Sequence, residues 1–137
     1  MNMTTTLNKI ASVLAFLVGA VSIGAGAKAI QGWDPGYSVL NWLPMYNFGM
    51  GVLTVLIPTV LLWRNSHYAR ITSIMIFGIH AVVTGFLLTA FHGMVARESI
   101  IAMLFRLAVW VIILALMFFS QKKQNDSNVR ILLNGGR

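Results

Sequence analysis

SIIAMLFRLAVWVIILALMFFS, residues 99–120, is the segment that decides the fold of this 137-residue chain. Its 22 residues carry a single charge, Arg106, and a helix of that length spans the roughly 30 Å hydrocarbon core of a bilayer. An arginine about two turns inside such a helix costs on the order of 2.5–3.5 kcal/mol on insertion scales. Arg106 therefore needs a water-facing exit, a buried partner or a ligand, which the rest of the chain must supply.

Three other segments have the length and apolar character of a membrane span. Residues 10–27 and 46–63 carry no charge, and residues 71–91 are interrupted only by His80. Only helices satisfy the backbone of a single chain in the bilayer core. The sequence therefore predicts an all-α integral membrane protein, an antiparallel up-down four-helix bundle. The expected domain is 1–120, with helices at about 8–28, 46–63, 71–91 and 99–120, followed by a basic cytoplasmic tail at 121–137.

The first span shares two features with a cleaved signal peptide, a preceding charge at Lys9 and an apolar run. The run continues through small residues to Lys28 without a polar boundary. Cleavage would also leave only three spans. We therefore expect this segment to remain as the first helix of the bundle.

Basic residues near the helix ends predict the orientation in the membrane. Seven lie on one side of the predicted bundle, against only Lys28 and Arg97 on the other. The seven are Lys9, Arg64, Arg70, Lys122, Lys123, Arg130 and Arg137. Both termini are thus predicted to face the cytoplasm, in a bacterial-type inner membrane. The net charge of +7 then reflects topology and attraction to lipid rather than nucleic-acid binding, because no basic stripe interleaved with aromatic residues lies outside the tail.

Small residues and a proline indicate how the helices pack. Ser12, Gly19 and Gly26 recur every seven residues, and such a stripe lets helix backbones approach closely in lipid. It predicts packing either against another helix or against another copy of the chain. In the second span, Pro58 has no N–H to donate to the carbonyl of Thr54, so a kink is expected there.

The polar groups of the spans are expected to meet in the non-cytoplasmic half of the bundle. The predicted ligand-binding residues are Lys28, Asn47, His80, Thr84, Glu98, Arg106 and Trp110. The segment 28–44 runs beside them and contains a turn at Asp34. Its aromatic residues either anchor the chain at the headgroup level or belong to a lid over the pocket. They are Trp33, Tyr37 and Trp42, with Tyr46 following.

Arg106 itself is open to two interpretations. In the structural one it pairs with Glu98, Asp34 or the carbonyl of Thr54. In the functional one it binds the anionic or carbonyl headgroup of a lipid, fatty acid or quinone. The ring of Trp110, one turn away, is a further candidate contact for the guanidinium.

His80 lies near the centre of the third span, with Thr84 one turn further. It is expected to hydrogen-bond between helices, to contact a small ligand such as a quinone, or to bind haem. His92 is about 18 Å away along the helix, so these two histidines cannot bind one haem together. The chain has no cysteine and no familiar catalytic motif, so neither a catalytic residue nor a metal site is predicted.

A small-residue run ending in lysine, residues 24–28, precedes the loop residues Gly32-Trp33-Asp34-Pro35. With a basic inner turn and a charged start to the last helix, this plan resembles the DoxX-like four-helix membrane proteins over residues 7–120. The resemblance implies a small subunit associated with quinone-linked oxidoreductases. It carries no specific site residue with it.

The sequence thus predicts a small membrane protein that is a non-catalytic subunit or binds a quinone or lipid. One alternative is the membrane subunit of a haem- or quinone-linked oxidoreductase. The other is a purely structural protein that self-associates through Ser12, Gly19 and Gly26. The expected partners are membrane lipid and a homo-oligomer or larger membrane complex, and not nucleic acid.

Overall fold

A computed structural model describes residues 2–135, which form helices and turns with no strand among them. The helices are α1 (Met3–Ile30), α2 (Leu43–Leu56), α3 (Pro58–Trp63), α4 (Tyr68–Thr89) and α5 (Arg97–Asn134). Since α2 and α3 form one interrupted span, four segments are long and apolar enough to cross a membrane. The prediction of four apolar helical spans is confirmed. Arg137, one of the basic residues used to predict orientation, lies outside the described residues.

The outside of the bundle is apolar. In the most apolar 18-residue window of each span, only 28–39% of the residues are buried. Large side chains such as Val21, Phe105 and Phe118 are more than half exposed. A soluble monomer rarely exposes a continuous apolar surface of this kind. The outer face of the four candidate spans therefore suits lipid.

The bundle has two distinct ends. The loop end carries the segment 31–42 and the turn at 90–96. The terminal end carries the start of α1 and the turn at 64–67. At the terminal end the Ser120 hydroxyl donates to the Thr4 carbonyl at 3.3 Å, which ties α5 to the start of α1. Helix α1 packs against α2, α3 and α5, and α4 packs against α5.

The small-residue stripe of α1 packs against α2 and α3 of the same chain. A Cβ atom at Gly19 would lie 2.7 Å from a Val55 methyl, and one at Gly26 would lie 2.6 Å from the backbone nitrogen of Phe48. The Ser12 hydroxyl donates to the Thr59 carbonyl at 2.7 Å. The predicted helix contact is confirmed, and it is made within the chain. A second copy could use this stripe only by displacing α2.

The second span is interrupted at the predicted proline. Helix α2 ends at Leu56, and α3 begins at Pro58. The carbonyl of Thr54 accepts a hydrogen bond of 2.9 Å from the Thr59 hydroxyl. This bond replaces the one that proline cannot make, so the carbonyl has a partner close by in sequence. The Thr54 carbonyl is not the partner of Arg106.

The last helix is much longer than the predicted span of 99–120. It begins at Arg97 and continues to Asn134, and every residue from 121 to 135 is exposed. No glycine or proline occurs between Ser99 and Gly135, so nothing in the sequence ends the helix where the apolar run ends. The described part of the basic tail is therefore a helix that extends about 21 Å beyond the packed bundle.

Candidate functional site

Arg106 belongs to the inward face of α5. The buried residues of this helix recur at intervals of three and four, which places them on one face. They are Ser99, Met103, Arg106, Trp110, Ile113, Met117 and Ser120. Arg106 is only 7% exposed. The guanidinium therefore lies inside the bundle, with its long side chain directed away from the lipid-facing surface.

Among residues 2–135 the guanidinium has only neutral partners. Its Nη1 donates to Oδ1 of Asn47 on α2 and lies 3.5 Å from the sulfur of Met103. The predicted pairing with an acid is wrong for the chain between residues 2 and 135. Glu98 is exposed at the start of α5, and the Asp34 carboxylate accepts the backbone N–H of Gly36 at 2.8 Å. The charge of Arg106 thus has no counter-charge among these residues.

Arg106 and Asn47 line a cavity of about 120 Å³ at the loop end. Its walls come from the ends of α1, α2 and α5 and from the loop after α1. The other lining residues are Ala25, Ala29, Trp33, Pro35, Tyr37, Val39, Leu43, Pro44, Ser99, Ala102 and Met103. Residues of the loop therefore form part of the cavity wall, whereas Trp33 remains more than half exposed. A larger hollow of about 590 Å³ lies at the terminal end, but none of its lining residues is buried.

The cavity is also bounded by small residues of α1 and α5. The inward face of α1 is buried at Ala11, Ala15 and Val18. The same spacing continues through the next turn to Ala25, which is exposed although it lines the cavity. Ala102 on α5 is exposed as well. The two exposed alanines thus form one side of the cavity at the level of Arg106, and we term this side the gap between α1 and α5.

Deeper in the bundle, an aromatic cluster surrounds His80. The Tyr46 hydroxyl and Nδ1 of His80 share a hydrogen bond of 2.6 Å, which joins α2 to α4. The Trp110 ring lies 6.4 Å from the His80 ring, centroid to centroid. The Trp110 indole N–H is buried and has no hydrogen-bond partner between residues 2 and 135. The Thr84 hydroxyl donates to the carbonyl of His80 at 2.7 Å, so it serves the backbone of its own helix.

The predicted ligand-binding residues therefore divide into three groups. Asn47 and Arg106 line the cavity. His80, Thr84 and Trp110 form the deeper cluster just described. Lys28 and Glu98 are exposed and do not line the cavity.

The cation–ring contacts also differ from the prediction. Lys28 lies over Trp33, with its nitrogen 5.9 Å from the ring centroid. Over the described part of the chain, the other cation–ring contact is that of Lys9 with Trp63. The predicted contact of Arg106 with Trp110 is not made.

Sequence reasoning missed the role of Tyr46, which it assigned to the headgroup belt together with Trp42. Tyr46 is instead half-buried and bonded to His80. The sequence does contain a pattern that indicates an inward-facing Tyr46. By their spacing, Leu43, Tyr46 and Met50 share one helix face. The two flanking residues are both buried apolar side chains. The alanines that line the cavity carried no comparable signal.

No group of three or more His, Cys, Asp or Glu side chains that could hold a metal ion occurs among residues 2–135. Comparison with protein families, with characterised proteins and with solved structures gives no match. The resemblance to DoxX-like proteins therefore stays a prediction, and any function must be argued from the geometry alone.

Proposed function

We propose that this protein binds the headgroup of a hydrophobic ligand, a lipid or a quinone, in the cavity lined by Arg106 and Asn47. One observation carries the proposal. A guanidinium that is 7% exposed lines a cavity and has no acidic partner within residues 2–135. The protein then acts as a non-catalytic binder or as a subunit beside a partner in the membrane.

The energetics of burial support a ligand at this point. Burying an ion costs several kcal/mol even after the protein relaxes, unless hydrogen bonds and an opposite charge offset that cost. Both contacts of Arg106 with the protein use Nη1. A guanidinium has five N–H donors, and those on Nε and Nη2 have no acceptor in the described part of the chain. A ligand oxygen in the cavity would satisfy them.

The grouping of charges at the terminal end supports an orientation of the bundle. The Arg70 guanidinium donates to Gln121 at 3.1 Å, and the Lys123 ammonium lies 3.0 Å from the sulfur of Met3. These contacts bring basic residues of α4 and α5 to the end where α1 begins. By the positive-inside rule we place that end in the cytoplasm. The cavity then opens in the non-cytoplasmic half of a bacterial-type inner membrane.

The two alternative functions receive less support from the geometry. A haem on His80 would have to fit beside a ring that is 2% exposed and packed against Tyr46 and Trp110. Self-association through Gly19 and Gly26 would have to replace the α1–α2 contact. Haem binding at His80 and self-association through the stripe therefore each require the bundle to open first, whereas the cavity beside Arg106 is already formed.

The proposal is tested by identifying what copurifies with the protein. The protein is purified in mild detergent, and the bound lipids and quinones are extracted and measured by mass spectrometry. Arg106→Met is compared with Arg97→Met, which removes an exposed charge from the start of the same helix. We expect wild type and Arg97→Met to retain a bound amphiphile and Arg106→Met to lose it. Equal retention by both variants would contradict the proposal, as would a wild-type protein that carries no ligand and is not stabilised by any added lipid or quinone.

A further inference from the structure

We infer that the ligand of this cavity is an aliphatic chain with an anionic head, a carboxylate or a phosphate, and that its chain leaves sideways between α1 and α5. This inference rests on the proposed function and narrows it. It names the charge of the headgroup and the path of the tail, which binding to Arg106 alone does not determine.

The charge of the site favours an anion over a neutral carbonyl. Arg106 brings one positive charge into the bundle, and both Asn47 and Met103 are neutral. A quinone oxygen would accept a hydrogen bond but leave that charge uncompensated. A carboxylate or phosphate would neutralise it and accept two parallel bonds from the free nitrogens of the guanidinium. The Ser99 side chain lines the same cavity and supplies a further hydroxyl donor.

The size of the cavity limits it to a headgroup. Its volume of about 120 Å³ corresponds to about four water molecules at roughly 30 Å³ each. Pockets that enclose a whole small-molecule ligand measure about 300–1,000 Å³. A carboxylate or a phosphate fits in the smaller volume, whereas the larger substituted ring of a quinone does not, even without its tail. The hydrocarbon part of the ligand must therefore lie outside the cavity.

The gap between α1 and α5 gives that hydrocarbon a path. Ala25 and Ala102 line the cavity and are exposed at the side of the bundle. Neither side chain reaches beyond its Cβ atom, so little side-chain bulk stands in the proposed path at this level. The surface around the gap is apolar, since Val21 and Phe105 are both more than 60% exposed. A chain leaving there would continue along a lipid-facing surface.

The test is a binding titration in detergent with four single-chain probes, read by thermal unfolding. Palmitate and hexadecyl phosphate carry anionic heads, whereas hexadecanol and decylubiquinone are neutral. Acetate and inorganic phosphate serve as heads without chains. We expect palmitate or hexadecyl phosphate, or both, to bind wild type about tenfold or more tightly than hexadecanol, because hydrogen bonds to charged groups are among the stronger ones. The choice between the two heads identifies carboxylate or phosphate.

Matched variants test each part of the inference. Arg106→Met should remove the preference for the anionic head, and Arg97→Met should keep it. Ala25→Phe should weaken palmitate binding by filling the gap, whereas Gly24→Phe should not, since a Cβ atom at Gly24 meets nothing within 4 Å. Ala102→Phe repeats the test from α5 if Ala25→Phe fails to fold.

The remaining outcomes separate this inference from the proposed function. If hexadecanol or decylubiquinone binds as well as palmitate and binding still requires Arg106, the headgroup is not selected by charge. The inference is then overturned while the proposed function stands. If acetate or phosphate alone binds as tightly as the chained probes, or if Ala25→Phe and Ala102→Phe both fold and bind normally, the path of the chain is wrong. If no probe binds in an Arg106-dependent way, both proposals fail.

Discussion

Replacing Gly26 with alanine should destabilise the protein, because α1 and α2 touch backbone to backbone at this point. The added Cβ atom would lie 2.6 Å from the Phe48 nitrogen and 2.7 Å from the Pro44 oxygen. Both distances are well inside the roughly 3.5 Å at which non-bonded atoms attract each other most strongly. Neither atom can rotate away as a side chain could, so α2 must move by close to 1 Å. Overpacking of this kind typically costs about 1–3 kcal/mol.

Gly24→Ala is the matched control, because Gly24 lies about half a turn from Gly26 on the same helix. A Cβ atom there meets nothing within 4 Å, so only the higher helix propensity of alanine acts, worth up to about 1 kcal/mol in favour of folding. Unfolding by a denaturing detergent, followed by tryptophan fluorescence, measures the difference. A Gly26→Ala protein as stable as Gly24→Ala would refute the close approach of α1 and α2. If Gly26→Ala instead changed the oligomer size with the fold intact, the stripe would be an interface between copies.

Three further predictions concern the bundle interior and the tail. Asn47→Asp should raise the unfolding temperature of ligand-free protein and abolish palmitate binding, because an aspartate would neutralise Arg106 from within the chain. A lower unfolding temperature would contradict the inference that the charge of Arg106 is uncompensated in the wild-type protein. Tyr46→Phe should cost about 1–3 kcal/mol by leaving Nδ1 of the buried His80 without its hydrogen-bond partner, measured by detergent unfolding, while Tyr68→Phe on the exposed surface should be neutral. Truncation after Gln121 should leave the unfolding temperature unchanged, since the removed part of α5 has no buried residue; a marked drop in thermal stability would show that the tail packs on the bundle.

The span pattern was predictable because it depends on composition alone. A bilayer core excludes charges and requires about 20 apolar residues for each helix, so each span could be found from the printed sequence. The break at Pro58 was predictable for the same local reason, since proline lacks the N–H that the helix needs. The stripe at Gly19 and Gly26 predicted a close helix contact, but it did not predict which helix would pack there.

The partner of Arg106 could not be predicted, because it depends on how α2 is rotated about its axis. The sequence predicts Asn47 and Arg106 in the same half of the bundle, but the expected protein partners of the charge are Glu98, Asp34 or the Thr54 carbonyl. Asn47 reaches the guanidinium because the close packing at Gly26 and Gly51 fixes that rotation. Asp34 does not pair with Arg106, because its carboxylate accepts a hydrogen bond from the backbone of its own loop.

Because α5 is long and uninterrupted, a small tilt at one end of this helix produces a large movement at the other end. From Arg106 to Asn134 it runs for about 42 Å at 1.5 Å per residue, and no glycine or proline interrupts it. A change in tilt of only about 5° at the cavity would move the far tip by about 4 Å over that length. Binding at a site with room for a few atoms would thereby displace the far end of α5, at the opposite end of the bundle. Spin labels on Ser127 and Tyr68 would measure that displacement directly.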